Sequence, residues 1–458
     1  GGGGAASGGG GAASGGPIMD LPFPGLNSPS TFTTSTGIPY FTSTGTQSMY
    51  YNSSNIFQND ITTQTVNQCA EECDKMPGCN AFHLDGSPAV NCKLKTIQNF
   101  SPGAQDTTRS TMYFKHVLNS KPALKINRVT KSSTEPSIWF NKDNGTYYYL
   151  NTDSTGIILR GVVANDISEG MFNFDENDNS ATKTKIVLFS FTELKNTFGS
   201  SISTIRGPTI TVIDNTFYIL FSMSTTSDDA NMKMYYTINS TSDVFNKSLW
   251  STPILISYPS WAVDPFVFRL DANRYYLLFS SKQFGNQIPT VNNPQKILIS
   301  RITIDNTSKR FSLVGLVRSI STPNRFPNQY QQSQMLNWEP TINSAPCVIV
   351  NNNRLFLVYS TSFYTDSKSS LGMLELSNIS NDPTSERNWI KRQISVFSSS
   401  IPGNMNGIGH CSFTKSGSKN YIIFHAKVDP STDYSVYAKE FIFDTQGIPF
   451  FGGPLYKP

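Results

Sequence analysis

Two acids and a histidine stand at comparable places in this chain. "TEPS" sets Glu135 before a proline, "VDPF" does the same for Asp264, and "GIGHCSF" offers His410. "RGPT" carries Gly207 at that place, and "NSAP" carries Ser344 and Ala345. Carboxylates and an imidazole brought together shift one another's pKa values and can exchange protons with a substrate or water. Glu339, in "NWEP", is a further acid upstream of Ser344. Trp139, Trp261 and Trp338 lie beside these motifs and could stack on a sugar ring. Each group also has a plainer reading. Asp264 could cap a turn, His410 could be a core histidine, Glu339 a solvated loop acid, and the tryptophans packing between sheets.

The surrounding elements decide whether these residues meet. Five segments share one outline: a short strand, a polar turn and a second strand rich in Tyr, Phe, Leu and Ile. They are "EPSIWFNKDNGTYYYLNT", "GPTITVIDNTFYILFS", "DPFVFRLDANRYYLLFS", "APCVIVNNNRLFLVYS" and "GHCSFTKSGSKNYIIFH". More strands follow each, such as "MKMYYTI", "KILISRITI" and "YSVYAKEFIF". A four-stranded blade takes about 40–50 residues, and the remainder of each repeat goes into loops. The expected fold is mainly β, with a five-bladed β-propeller over residues 121–458. In a propeller the innermost strands line one channel, so Glu135, Gly207, Asp264, Ser344/Ala345 and His410 converge there. Cys347 and Cys411 follow these positions in neighbouring blades and are expected to form a disulfide.

These motifs and their order resemble glycoside hydrolase family 43, the arabinanase, arabinofuranosidase and xylosidase group. The resemblance implies that the blade-one acid is the general base, here Glu135 where an Asp is expected. It implies that Asp264 in blade three tunes and orients the general acid. The acid itself, a Glu in Glu-Ala-Pro or Glu-Gly-Pro, is replaced here by Ser344. It further implies that His410 helps hold a metal ion, commonly Ca2+, through water. A hydroxyl is far too weak an acid to protonate a glycosidic oxygen, and losing general acid catalysis is worth roughly 10²–10⁴ in rate. Glu339 is then the one nearby substitute acid. With only four histidines in the chain, a His-rich metal site is excluded.

Ahead of the propeller, residues 1–47 comprise a Gly/Ala/Ser linker and an extended Pro/Thr/Ser-rich stretch. Its apolar anchors suggest that residues 17–47 lie along a surface, their own or a neighbouring copy's. Residues 48–120 read as a small α+β domain in which Cys69, Cys73, Cys79 and Cys92 crowd together. Such clustering favours disulfides over zinc, whose paired C-x2-C knuckles are missing. "CAEEC", "CNAFHL" and "CKLK" resemble a PAN/Apple domain, a binding module for proteins or sugars. That resemblance implies the pairs Cys69–Cys92 and Cys73–Cys79.

The charge balance, Lys+Arg 36 against Asp+Glu 32, has no concentrated basic face and argues against nucleic acid. No stretch approaches the ~20 apolar residues of a membrane span. Asn-x-Ser/Thr occurs at Asn52, Asn99, Asn144, Asn239, Asn246, Asn306 and Asn378. With the cysteines, these sequons point to an extracellular glycoprotein. The missing acid favours a non-catalytic propeller acting in carbohydrate binding, adhesion or an extracellular filament. The alternative is an inverting hydrolase of arabinose- or xylose-containing polysaccharide.

Overall fold

The computed structural model describes residues 127–130, 132–163, 183–199, 201–226, 229–323, 339–362, 369–376, 378–392, 395–397, 405–428, 433–443 and 447–451 of the C-terminal region. Ahead of these it describes short strands and residues 68–69.

Five antiparallel sheets follow one another along the chain, giving the expected five-bladed propeller. The innermost strands are Thr134–Asn141, Ile205–Ile213, Ala262–Asp271, Asn343–Asn351 and Met405–Ser416. Each turns back into a second strand: Thr146–Asp153, Thr216–Ser224, Arg274–Ser281, Arg354–Thr361 and Lys419–Val428. These second strands are the continuous apolar runs of the sequence. Blades stack on both of their faces, so Thr216–Ser224 is buried at every residue. An alternating pattern would leave polar side chains inside.

One apolar cluster fills each junction between successive blades, including the junction of blade five with blade one. Burying a Leu, Ile or Phe fully is worth about 1.5–3 kcal/mol, so this cyclic packing is the main stabilising term. The ring is also closed by strand pairing. Asn127–Thr130 pairs with Ser435–Phe443, the third strand of blade five, and Pro449–Phe450 pairs with the same strand further along. Both ends of the propeller sequence thus complete one blade.

Trp139 belongs to the cluster between blades one and two, stacked on Tyr148 at 5.7 Å and edge-on to Phe217 at 5.4 Å. Its ring is half-buried and engaged in packing between these blades. Cys347 and Cys411 meet as their strands require, with sulfurs 3.0 Å apart. The expected disulfide is nevertheless absent: both are buried free thiols, and a bond would need about 2.05 Å.

In the N-terminal region, strands between Thr31 and Lys115 make one antiparallel sheet. Within the stretch 17–47, Pro39–Ser43 pairs with Thr111–Lys115. This strand adds to the chain's own small sheet rather than to a neighbour. Cys69 is buried and disulfide-bonded. The side chains of Cys73, Cys79 and Cys92, and with them the expected pairings and the PAN/Apple-like arrangement, lie outside the described residues. No helix among the described residues is long and apolar enough to cross a membrane.

Candidate active site

Each innermost strand begins with a bulge, and the residue at that bulge is left-handed. The φ values are 56° at Glu135, 58° at Gly207, 57° at Asp264, 48° at Ala345 and 42° at His410. The strand register shifts at the same place in all five blades. A proline follows in four of them, where a missing N–H costs no ladder bond. Four non-glycine residues held in a conformation costing about 1–3 kcal/mol each mark a site where direction of the side chain matters.

The backbone N–H of each left-handed residue is received by a side chain of the preceding blade. Glu135 donates to Nδ1 of His425 at 3.3 Å, Asp264 to Oγ of Ser222 at 3.1 Å, and His410 to Oγ of Ser360 at 2.7 Å. At the other two junctions the channel acids accept. Gly207 N–H reaches Oε2 of Glu135 at 2.9 Å, and Ala345 N–H reaches Oδ2 of Asp264 at 3.1 Å. Thr152 also donates to Oε2 of Glu135 at 2.8 Å. Five clasps therefore close a ring around the channel, and two of them use the candidate catalytic carboxylates. A Cβ at Gly207 would fall 2.6 Å from Oδ1 of Asp264, so this position requires glycine.

The remaining carboxylate oxygens face one imidazole. Nε2 of His410 lies 3.9 Å from Oε1 of Glu135 and 3.7 Å from Oδ1 of Asp264. Burial pushes the Asp264 carboxyl above its ordinary range, opposed by His410 and reinforced by Glu135. His425, fully buried, is held neutral well below the usual histidine range by burial and by His410. Its Nδ1 accepts from Glu135, so its proton sits on Nε2.

Beneath the ring the channel narrows to a void of about 20 Å³ lined by Asp264, Ala345, Cys347, His410 and Ser412. Above it a cavity of about 710 Å³ opens, bordered by Glu135, Asp153, Arg206, Asp229, His425 and Tyr434. Arg206 pairs with Asp229 at 2.7 Å in its wall. Trp261 anchors that wall, its indole N–H donating to the Asp229 carbonyl at 2.7 Å, with Lys282 4.5 Å from the ring centre. It is 8% exposed, so it packs rather than offering a face to a sugar. Trp338 lies outside the described residues.

Ser344 pairs with Ser360 at the start of the blade-four strand, next to the ring. Glu339 is not the solvated loop acid expected from its neighbourhood. It is fully buried between blades three and four, in an ion pair with Lys391 and bonded by Tyr359 and Asn343 at 2.8 Å each. That polar nest, completed by Ser321 on Asn343, holds the carboxylate away from the channel.

A calcium ion near His410 would need six to eight oxygens. Here both acids already give one oxygen to a backbone N–H and turn the other to the imidazole. Among the described residues no three His, Cys, Asp or Glu are arranged to hold a metal. These residues alone form no protein cage for a cation, and water would have to supply most of its ligands.

Sequence reasoning missed the second-strand partners Thr152, Ser222, Ser360 and His425. Their signal was visible: a polar residue closes each of the runs "LNT", "LFS", "VYS" and "IFH".

The chain is 26% identical over 266 residues to an extracellular exo-alpha-(1->5)-L-arabinofuranosidase of Streptomyces avermitilis, covering 55% of this chain and 50% of that protein. It is 32% identical over 135 residues to alpha-L-arabinofuranosidase 43 of Humicola insolens, covering 26% and 27% respectively. The chain thus spans half or less of the curated relatives it matches. Among solved structures, an alpha-L-arabinofuranosidase from Lactobacillus brevis superposes with a TM-score of 0.59 at 22% identity, over 73% of this chain and 98% of that one. A thermostable family-43 glycoside hydrolase gives 0.54 at 16% identity, over 74% and 98%. These two likenesses show the fold. Residues 128–445, most of the chain, match glycosyl hydrolases family 43, and the chain belongs to that family.

Proposed function

We propose that the propeller is a glycoside hydrolase acting on arabinose- or xylose-containing polysaccharide, with Glu135 as general base and Asp264 as the carboxylate that tunes the site. The supporting observation is the convergence of Glu135 and Asp264, from two blades, each within 4 Å of the His410 imidazole of a third, with Glu135 also bordering a sugar-sized cavity. Two features of the relatives agree with it: the two curated relatives are arabinofuranosidases, and one of them is extracellular.

Inverting hydrolysis uses a base to activate water and an acid to protonate the leaving oxygen. Glu135 is one methylene longer than the expected Asp. Its Oε2 receives the Gly207 N–H and its Oε1 is left for the channel, the same division that the shorter Asp264 makes toward Ala345. Ser344 supplies no proton, so the reaction is fast only where the leaving group departs unprotonated.

That same serine favours a second reading, a propeller that binds its sugar without cleaving it. Filament assembly loses its support, because the strand Pro39–Ser43 is paired within the chain.

The test sets dinitrophenyl α-L-arabinofuranoside and β-D-xyloside beside arabinan, xylan and a glycan array. Turnover of an activated glycoside that Glu135→Gln abolishes supports the hydrolase. Sugar binding with no turnover of any substrate supports the second reading. Absence of both sinks the two together.

A further inference from the structure

We propose that Asn144, Asn246, Asn306 and Asn378 carry N-linked glycans in the secreted protein, that Asn239 does not, and that the resulting sugar coat covers the propeller away from its mouth. The mouth is defined by where the first strands begin and the second strands end, at Thr134, Arg206, Asp153 and Asp229. First strands run from that end to the opposite one, and third strands do the same. Asn144 lies in the turn after the first strand of blade one, and Asn306 in the turn after the third strand of blade three. Asn246 and Asn378 lie in the connections that leave the third strands of blades two and four. The Asn246 connection runs along the outer rim, where Lys247 contacts Glu193 in the helix that follows the outermost strand of blade one. Connections at the mouth end contain asparagines, such as Asn231, Asn286 and Asn293, yet none of these forms a sequon.

Local geometry separates the sites. At Asn246 and Asn378 the hydroxyl two residues on donates to the asparagine Oδ1, at 2.7 and 2.6 Å, and both residues are exposed. Asn144 and Asn306 are also exposed. Asn239 has the same hydroxyl contact, from Thr241 at 2.7 Å. Its side chain, however, is fully buried and its Nδ2 donates to the Asp243 carbonyl at 3.2 Å. A glycan there would break that bond and open the blade-two core.

The chemistry is a group transfer from an oligosaccharide–pyrophosphoryl–lipid donor. The asparagine Nδ2 forms a bond to the anomeric carbon, the bond from that carbon to the pyrophosphate oxygen breaks, and the amide loses one proton. The lipid pyrophosphate is the leaving group.

The experiment secretes the full chain from a eukaryotic cell, removes glycans with a peptide amidase in heavy-oxygen water and maps the peptides. Labelled aspartate at positions 144, 246, 306 and 378, with unlabelled Asn239, is the expected result. Label at 239 in folded, secreted protein overturns the proposal, and so does a secreted product unlabelled at the four exposed sites. As a second measurement, Asn239→Gln should lower the melting temperature while Asn306→Gln leaves it unchanged. Equal behaviour of the two variants would show that burial does not distinguish the sites.

Discussion

Blades one and three differ from blade four at the same backbone position. In the first two, the left-handed residue is an acid whose carboxylate clasps the next blade and still presents an oxygen to His410. In blade four the left-handed residue is Ala345, the clasp is made by Ser360, and the preceding residue is Ser344. The one acid nearby, Glu339, is spent on Lys391. A channel carboxylate in this protein therefore clasps the next blade and still faces the imidazole, whereas blade four makes its clasp with serine and has no acid at the equivalent position.

The sharpest way to break the comparison is Glu339→Ala. Removing one partner of a fully buried ion pair costs about 3–5 kcal/mol. Urea denaturation should show that loss, while the dependence of rate on leaving group stays as in the parent. Intact stability with a selective loss on poor leaving groups would make Glu339 the acid after all.

Next comes Ser344→Glu, which puts a proton donor where the family resemblance implies the general acid. If Glu135 is a competent base, turnover of poor leaving groups should rise by roughly 10²–10⁴. No gain on any substrate would mean that the base in blade one is misplaced as well.

A third test contrasts two buried lysines. Lys391 has an acid partner. Lys439, fully buried in blade five, has the Phe451 carbonyl and the nearby Phe397 ring, and burial lowers its pKa to about 7. The folded state then binds fewer protons than the unfolded one between pH 7 and the ordinary lysine range. Stability should rise with pH across that window by about 1.4 kcal/mol per unit, and the cost should be complete below it. Lys439→Met should remove this slope in melts taken at several pH values. An unchanged slope would place the titration elsewhere.

The smallest effect concerns the clasps. Ser222→Ala removes the acceptor for Asp264 N–H and should cost about 1 kcal/mol. Ser280 occupies the equivalent second-strand position in blade three, where Asp264 has taken over the clasp, and its buried hydroxyl has no partner. Ser280→Ala should be neutral or slightly stabilising in the same melts. Equal losses at the two serines would contradict the division of labour among blades.

The repeat that announced five blades was legible because the second strands are buried on both faces and must be apolar throughout. The convergence of Glu135, Asp264 and His410 was legible for the same reason: a cyclic fold places equivalent positions around one axis. What the sequence hid has a different origin. Glu339 sits in polar, loop-like sequence, and nothing in its neighbours along the chain reports that another blade covers it. Cys347 and Cys411 were correctly brought together, but proximity of two strands does not make a bond.

By itself the sequence determined the class of fold, the order of the blades and the absence of a carboxylate at Ser344, because these are properties of residue type and spacing. Only the tertiary structure decided that Glu135 and Asp264 each use one oxygen to hold the next blade, that His410 sits between the other two, and that Glu339 faces Lys391. Those are questions of direction. A side chain's direction is set by the left-handed bulge that carries it and by the blade packed against it, and both come from contacts far apart in the chain.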